Sequence, residues 1–324
     1  MQRRRAFAAG RVDRRHQGEN QGSNAPRWPD LNRVTQRVFS DNLRGSLLMV
    51  ASMAGFAVED MFLKSAAHEM PLGQIMVIMG LLGVATFAGL ARTKGQPAFP
   101  SALFSRGMAV RSLFEVMGRV FYALAIALTP LSTASAILQA TPLLVVAAAS
   151  ILFGEKVSLA RWTAILAGFC GVLLIVRPGQ DGFSALSLLA VAGMIGFAGR
   201  DLATRAAPPA LSNAQLGVAG FAMLGLSGGL ILGTTGGAVV PSGWGVWLLV
   251  GTTMFGILGY HALTYAMRTG DVSVVTPFRY TRLVFALILG VAIFHERPDA
   301  LTLLGSTVIV AAGVFALLQN RKPA

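Results

Sequence analysis

The sequence predicts an all-α membrane protein, with ten transmembrane helices arranged as two inverted five-helix repeats. Three observations carry that expectation. Hydrophobic residues make up 54% of the 324-residue chain and charged residues 13%, against about 25% charged in soluble domains. No Asp, Glu, Lys or Arg occurs between Ala206 and Met267, a stretch roughly three times the ~20 residues that cross a bilayer. The chain also matches itself at an offset of 141: MAGFAVED (Met53–Asp60) lies over MIGFAGRD (Met194–Asp201), identical at five of eight positions.

Ten arginines fall within the first 44 residues. This stretch is polar, long and without a small-residue cleavage site after a short apolar core, so it does not read as a signal peptide. Residues 1–42 are expected to be a disordered basic cytoplasmic tail. The formal net charge of +13 is concentrated there, which points to a topology signal rather than to nucleic acid. The single Cys170 rules out an intrachain disulfide.

Apolar windows of about 19 residues place helices at 43–63, 71–91, 107–127, 131–153 and 158–176, then at 184–204, 211–233, 244–267, 272–294 and 300–318. Each is bounded by turn chemistry: Pro71, KGQPAFP, TPLS, RPGQDG, APPALSN, GGAVVPSG, RTGD and ERPD. The offset of 141 also lays Gln74 over Gln215, Gly118 over Gly259, Ser132 over Ser273 and Glu155 over Glu296. The units are therefore residues 43–182 and 183–320. Five spans is an odd number, so the second unit enters the membrane from the opposite side. With the N-terminus inside, nineteen Lys and Arg face the cytoplasm and three face out, which favours cytoplasmic termini in an inner (plasma) membrane. Inverted repeats suit alternating access around a site near the midplane.

The remaining five arginines, Arg111, Arg119, Arg200, Arg279 and Arg282, lie within helices, as do Glu59, Asp60, Glu115 and Asp201. A charge at a helix centre costs about 2.5–3.5 kcal/mol on insertion scales, so each needs a partner or a wet cavity. Arg111, Glu115 and Arg119 are spaced i, i+4, i+8 and form a ladder on one face. Arg279 and Arg282 share a face at i, i+3. Glu59, Asp60, Glu115, Arg200 and Asp201 are ion-pair or proton-coupling candidates. The substrate-binding candidates are Arg119 and Arg282, then Arg279, with Tyr260, Tyr280 and His261 at similar depth. A spare guanidinium flanked by Tyr260 and Tyr280 suits a carboxylate or phosphate on a planar ligand. Locking between helices competes about evenly with ligand binding for Arg279 and Arg282. In GLSGGLILG, Gly225, Gly229 and Gly233 form a small-residue stripe suited to close helix contact. Glu155 and Glu296, at helix ends, read as interfacial structure.

LTPLSTASAILQATPLL followed by FGEKVSLARWTAILAGFCGVLLIVRPG, and their echo MRTGDVSVVTPFRY followed by FHERPDALTLLGSTVIVAAGV, resemble the drug/metabolite transporter superfamily, in particular its bacterial EamA-type ten-helix transporters. The resemblance covers about residues 43–320. GRDLATR, SAILQA and PFRYT are similar to an alphaproteobacterial branch whose members are labelled as riboflavin or S-adenosylmethionine uptake carriers. Glu59-Asp60 departs from the more neutral pair expected there.

The resemblance implies a secondary transporter for a small organic metabolite. An anionic or aromatic cargo such as a flavin, nucleoside or amino-acid derivative fits the residues, and a passive channel is the alternative. No G-x-x-x-x-G-K-[ST], H-E-x-x-H or G-x-S-x-G is present, and four scattered histidines give no metal cluster. An enzyme, a cofactor and a metal are therefore not expected. The expected partners are a small-molecule substrate and the lipid bilayer, without nucleic acid and with a homodimer left open.

Overall fold

The computed structural model describes residues 28–154, 157–177, 184–205, 211–269 and 272–318. Glu155, Arg321, Lys322 and residues 1–27 lie outside them, as does most of the RPGQDG and APPALSN turns. The chain forms two units, Met1–Val38 and Phe39–Ala324. The described part of the first is the start of a single helix, and every other element belongs to the second.

Every regular element among the described residues is helical. α1 (Trp28–Ala66) begins well upstream of residue 43, so helix replaces part of the expected disordered tail. α2 spans Leu72–Thr93 and α3 Arg106–Leu128. α4 (Leu131–Leu138) and α5 (Thr141–Phe153) come next, then α6 (Leu159–Val176) and α7 (Ser187–Arg205). α8 (Asn213–Thr235), α9 (Gly243–Ala266), α10 (Val272–Val275), α11 (Thr281–Phe294) and α12 (Ala300–Leu318) complete the set. Serines at the turns set several starts. The Ser105, Ser158, Ser212 and Ser242 side chains each accept a hydrogen bond from a first-turn N–H of α3, α6, α8 and α9, occupying donors the helix leaves unpaired. At α8, Gln215 returns the bond to the Ser212 N–H, a reciprocal capping box.

Seven helical stretches are long and apolar enough to cross a membrane. α3 and α7 fall outside that set because they carry the intramembrane charges, and the apolar stretch of α12, Ala300–Ala316, is shorter. The chain is thus a multi-pass helical membrane protein.

The structure corrects the two helices expected at 131–153 and 272–294, since the first is broken near its middle and the second after its first four residues. Pro142 lies in the first turn of α5, and Pro277 lies in a 3-10 turn (Thr276–Tyr280) between α10 and α11. A proline ring clashes with the carbonyl four residues back and offers no N–H. For Pro142 that carbonyl belongs to Leu138, the last residue of α4. Threonine hydroxyls add bonds at both breaks: Thr141 Oγ1 donates to Leu138 O at 2.6 Å and Thr281 Oγ1 to Phe278 O at 2.7 Å. The two breaks meet, with Gln139 Nε2 donating to Arg279 O at 3.0 Å.

Packing is dominated by α2 on α8, α3 on α7 and α6 on α12. α1 lies against α9, where Ser52 Oγ donates to Gly259 O at 2.7 Å and Phe62 stacks on Phe255 at 5.8 Å between centroids. The 141-residue offset reappears as geometry. Gly55 meets Gly259 between α1 and α9, and Gly196 meets Gly118 between α7 and α3. Phe56 covers Gly259 and Phe197 covers Gly118 in the same relation. A Cβ on Gly196 would overlap the Gly118 backbone. The stripe read in α8 is used only in part: Gly225 packs on Gly80, whereas nothing lies within 4 Å of the Cβ positions of Gly229 and Gly233.

Gly196→Val is expected to force α3 and α7 apart, at the roughly 1–3 kcal/mol typical of overpacking, lowering the melting temperature and the monodisperse yield in detergent. Gly229→Ala, facing open space, is expected to leave both unchanged. Size-exclusion profiles and thermal melts of the two variants check this.

Candidate functional site

The helix breaks open onto a cavity of about 1120 Å³, counting the part continuous with solvent. The room it leaves for the centre of a water-sized sphere is about 150 Å³. α1, α2, α3, α7, α8, α9 and both breaks contribute to its wall. Glu59, Asp60, Arg119, Arg200, Tyr260, Arg279, Tyr280 and Arg282 all line it, although they are spread over more than 220 positions of sequence. Of the other sequence candidates, Glu115, Asp201 and His261 are not in the lining. His261 packs on Tyr265 at 4.7 Å between ring centroids.

α1 brings Asp60 to Arg282 at the start of α11. Arg282 Nη2 donates to Asp60 Oδ2 at 2.6 Å. Tyr122, one turn beyond Arg119 on α3, donates to the same carboxylate oxygen at 3.2 Å and stands 3.5 Å from Ser135 Oγ. The guanidinium of Arg282 also lies over the rings of Phe56 (5.3 Å) and Tyr122 (5.5 Å). The aromatics that flank Arg282 are therefore Phe56 and Tyr122, while Tyr260 and Tyr280 line other parts of the cavity. Tyr260 meets Phe87 and Phe221 edge-on. The Tyr280 hydroxyl is buried without a hydrogen-bond partner beside Gly313, where a Cβ would collide with it.

A second cluster gathers on Glu115, which is 1% exposed. Arg111 Nη2 lies 3.0 Å from Glu115 Oε2, and Arg119 Nε lies 3.3 Å from Oε1. This is the ladder the i, i+4, i+8 spacing suggests. Arg200 of α7 adds Nη1 at 3.5 Å from Oε1 and binds its own neighbour Asp201 through Nη2 at 2.8 Å. Its guanidinium covers the Phe197 ring at 4.9 Å; Phe197 is the counterpart of Phe56 at the offset of 141, whereas Arg200 and Arg282 are not counterparts.

Two further ionisable groups stand at the edge of these clusters, Glu59 near Arg119 and Arg282, and Arg279 near Asp201. Among the described residues, neither the Arg279 guanidinium nor the Glu59 carboxylate has an ion pair or a side-chain hydrogen bond. Glu59 is 8% exposed, and Arg282 Nε and Tyr280 Oη are buried without a hydrogen-bond partner among the described residues. Sequence reasoning ranked Arg279 behind Arg119 and Arg282, yet it is the arginine without a carboxylate partner. Gln139, Tyr122 and Phe56 were missed. Tyr122 carried a signal, since it sits three residues after Arg119 and shares its face.

One end of the bundle is tied by Lys64 and Glu296. Glu296 accepts from Leu131 N at 2.5 Å, Ser132 N at 3.0 Å and Ser132 Oγ at 2.7 Å, at the N-terminus of α4. A carboxylate there meets unpaired N–H groups and the positive end of the helix dipole. Lys64 donates to Ile126 O at 3.2 Å and to Thr129 O, and stands 3.8 Å from Glu296 Oε1. Leu63, the preceding residue, lines the cavity.

Asp60→Asn is expected to destabilise the fold by about 3–5 kcal/mol, because it leaves Arg282 buried without its counter-charge. The double variant Asp60→Asn/Arg282→Gln is expected to recover part of that loss, and thermal melts arranged as a double-mutant cycle measure it.

Comparison with known proteins fits this arrangement. Residues 43–177 and 182–318 each match the EamA-like transporter family. The pseudopaline exporter CntI of Pseudomonas aeruginosa is 28% identical over 287 residues, 86% of this chain and 97% of that one. The riboflavin transporter of Vibrio cholerae is 25% identical over 84% of this chain and 92% of its own. The S-adenosylmethionine uptake transporter of Rickettsia felis is 24% identical over 66% and 72%. A protein of known crystal structure superposes with a TM-score of 0.50 at 25% identity, covering 90% of this chain and 99% of the other. Two successive copies of one helical unit around a charged cavity, each matched by the same family, place the chain in the EamA-like transporter family.

Proposed function

We propose that the chain is a ten-span secondary carrier that moves a small organic metabolite across the inner membrane by alternating access. Its units are residues 43–182 and 183–320, of inverted orientation, with both termini cytoplasmic. The observation that carries this reading is the meeting of two broken helices, Gln139 to Arg279 O at 3.0 Å, at a cavity walled by both copies. Non-helical backbone at membrane depth is tolerated only where protein or water covers it, and discontinuous helices at a repeat interface are where carriers hold cargo.

The cargoes named for the relatives, pseudopaline, riboflavin and S-adenosylmethionine, support a small organic metabolite as the class. Arg279 is the first contact for an acidic group on the cargo. Arg119 and Arg282 line the same space while holding Glu115 and Asp60. Phe56, Tyr122 and Phe197 add aromatic surface to the lining beside these guanidinium groups. The second reading, a passive channel, draws on the cavity being open to solvent in part, but buried ion pairs across it favour a site that must close.

Purified protein in liposomes is expected to exchange a labelled metabolite by counterflow in a screen of flavins, nucleosides, amino acids and S-adenosylmethionine. Arg279→Ala is expected to abolish that exchange, by tenfold or more, with an unchanged melting temperature. Arg282→Ala is expected to lose exchange and stability together. A saturable current without counterflow assigns the channel instead.

A further inference from the structure

The contacts that tie one end of the bundle differ in kind from the ion pairs inside it. Lys64, in the last turn of α1, belongs to the first copy of the repeat, and Glu296, just past α11, to the second. Both act on helix ends. Glu296 accepts from the first N–H groups of α4, and Lys64 donates to carbonyls at the end of α3. Lys64 also stands over the Phe294 ring, 5.3 Å from its centroid. Leu63 and Ile126, next to these contacts in the chain, line the cavity, so the knot borders the cavity directly. The turn that brings Glu296 back onto α4 is a defined one. His295 is left-handed, φ 53°, a conformation uncommon outside glycine, and Glu296 N donates to Gly290 O at 3.0 Å. A Cβ on Gly290 would collide with the Glu296 carboxylate. In the first copy Gly154, the counterpart of His295 at the offset of 141, has the same left-handed backbone, φ 65°. The residue types of the knot recur in the sequence at that offset: Arg205 for Lys64, Ser273 for Ser132 and Glu155 for Glu296.

We propose that Lys64, Glu296 and the first turn of α4 form a latch, which seals this end of the cavity and has to release for cargo to pass. The proposal rests on the carrier reading and says where the carrier opens. Opening requires some contacts between the copies to break. Parting Asp60 from Arg282, or Glu115 from Arg200, leaves charges uncompensated in the interior. Parting Glu296 from α4 and Lys64 from α3 exposes only N–H and C=O groups of helix ends, which water satisfies as readily as a side chain does. Lys64 itself lies in the last turn of the apolar stretch Asp41–Ala66, where its released ammonium reaches water. The interior pairs therefore hold while the latch is the contact that yields.

The test uses the full-length chain with its exposed cysteine removed, Cys170→Ala, and a reporter thiol in the cavity wall, Ala123→Cys, at a lining position that is 5% exposed. Sealed membrane vesicles are treated with a membrane-impermeant methanethiosulfonate from the side on which Lys64 and Glu296 lie. Glu296→Ala and Lys64→Met, each added to this background, are expected to raise the labelling rate of the reporter at least tenfold, with melting temperatures verifying that both variants fold. In a second arm, Lys64→Cys/Glu296→Cys in the Cys170→Ala background is joined by a short bifunctional methanethiosulfonate. Joining is expected to lower metabolite counterflow at least tenfold, and reduction to restore it. Unchanged labelling in both folded variants overturns the latch, and so does counterflow that continues in the joined protein; either result leaves the carrier reading intact. Where a single variant does not fold, the joined protein decides. Absence of counterflow with every metabolite in the unmodified protein overturns the carrier reading, and with it the role given to the latch.

Discussion

Hydrocarbon does not solvate charge, and the interior of this protein is organised by that constraint. A guanidinium at membrane depth has to find a carboxylate or water. The chain carries five helix-borne arginines against four acids of similar depth, and the helices are packed so that most of these groups meet. Glu115 gathers three arginines from two helices, and Asp60 fixes α1 to α11. These contacts join the two copies. They also determine which groups remain over for a ligand, so the structural and the binding roles of the charges are one distribution problem.

Backbone polarity obeys the same constraint. A carbonyl that loses its helical partner inside a membrane needs another. At each break a threonine hydroxyl adds a bond to the carbonyl three residues back, and a glutamine amide spans the gap between the breaks. Irregular chain is therefore confined to the place where the cavity lies. Close approach of the surrounding helices depends on glycine at two equivalent crossings, Gly55 with Gly259 and Gly196 with Gly118. There the absence of a side chain lets phenylalanines from the opposing helices fold over the contact.

Much of the architecture was readable because it depends on local pattern. Apolar runs and turn residues placed the helices, and the self-match at 141 residues anticipated contacts that recur at that spacing. The breaks were not read, although Pro142 and Pro277 were in plain view, because a window average of hydropathy is blind to one missing N–H in an apolar run. The extension of α1 to Trp28 escaped for the opposite reason, since its upstream turns are polar. At the site, the ladder on α3 came from helical spacing alone. The choice among arginines did not. Arg279 and Arg282 are three residues apart, and which of them reaches Asp60, 222 positions away from Arg282, depends on how α1 is rotated against α11. No local pattern encodes that rotation. Tyr260 and Tyr280 do line the cavity, but depth along a helix did not reveal that Phe56 and Tyr122 are the rings beside Arg282.

The bond from Gln139 to the Arg279 carbonyl has an evolutionary corollary. Duplicated segments ordinarily drift apart, each tolerating insertions of its own. Here the amide of one copy grips the main chain that carries the other copy's unsatisfied cation. Lengthening either kink by a single residue rotates its lower half by about 100 degrees and swings that cation away from its post. Each kink is thus constrained in length and phase by the other.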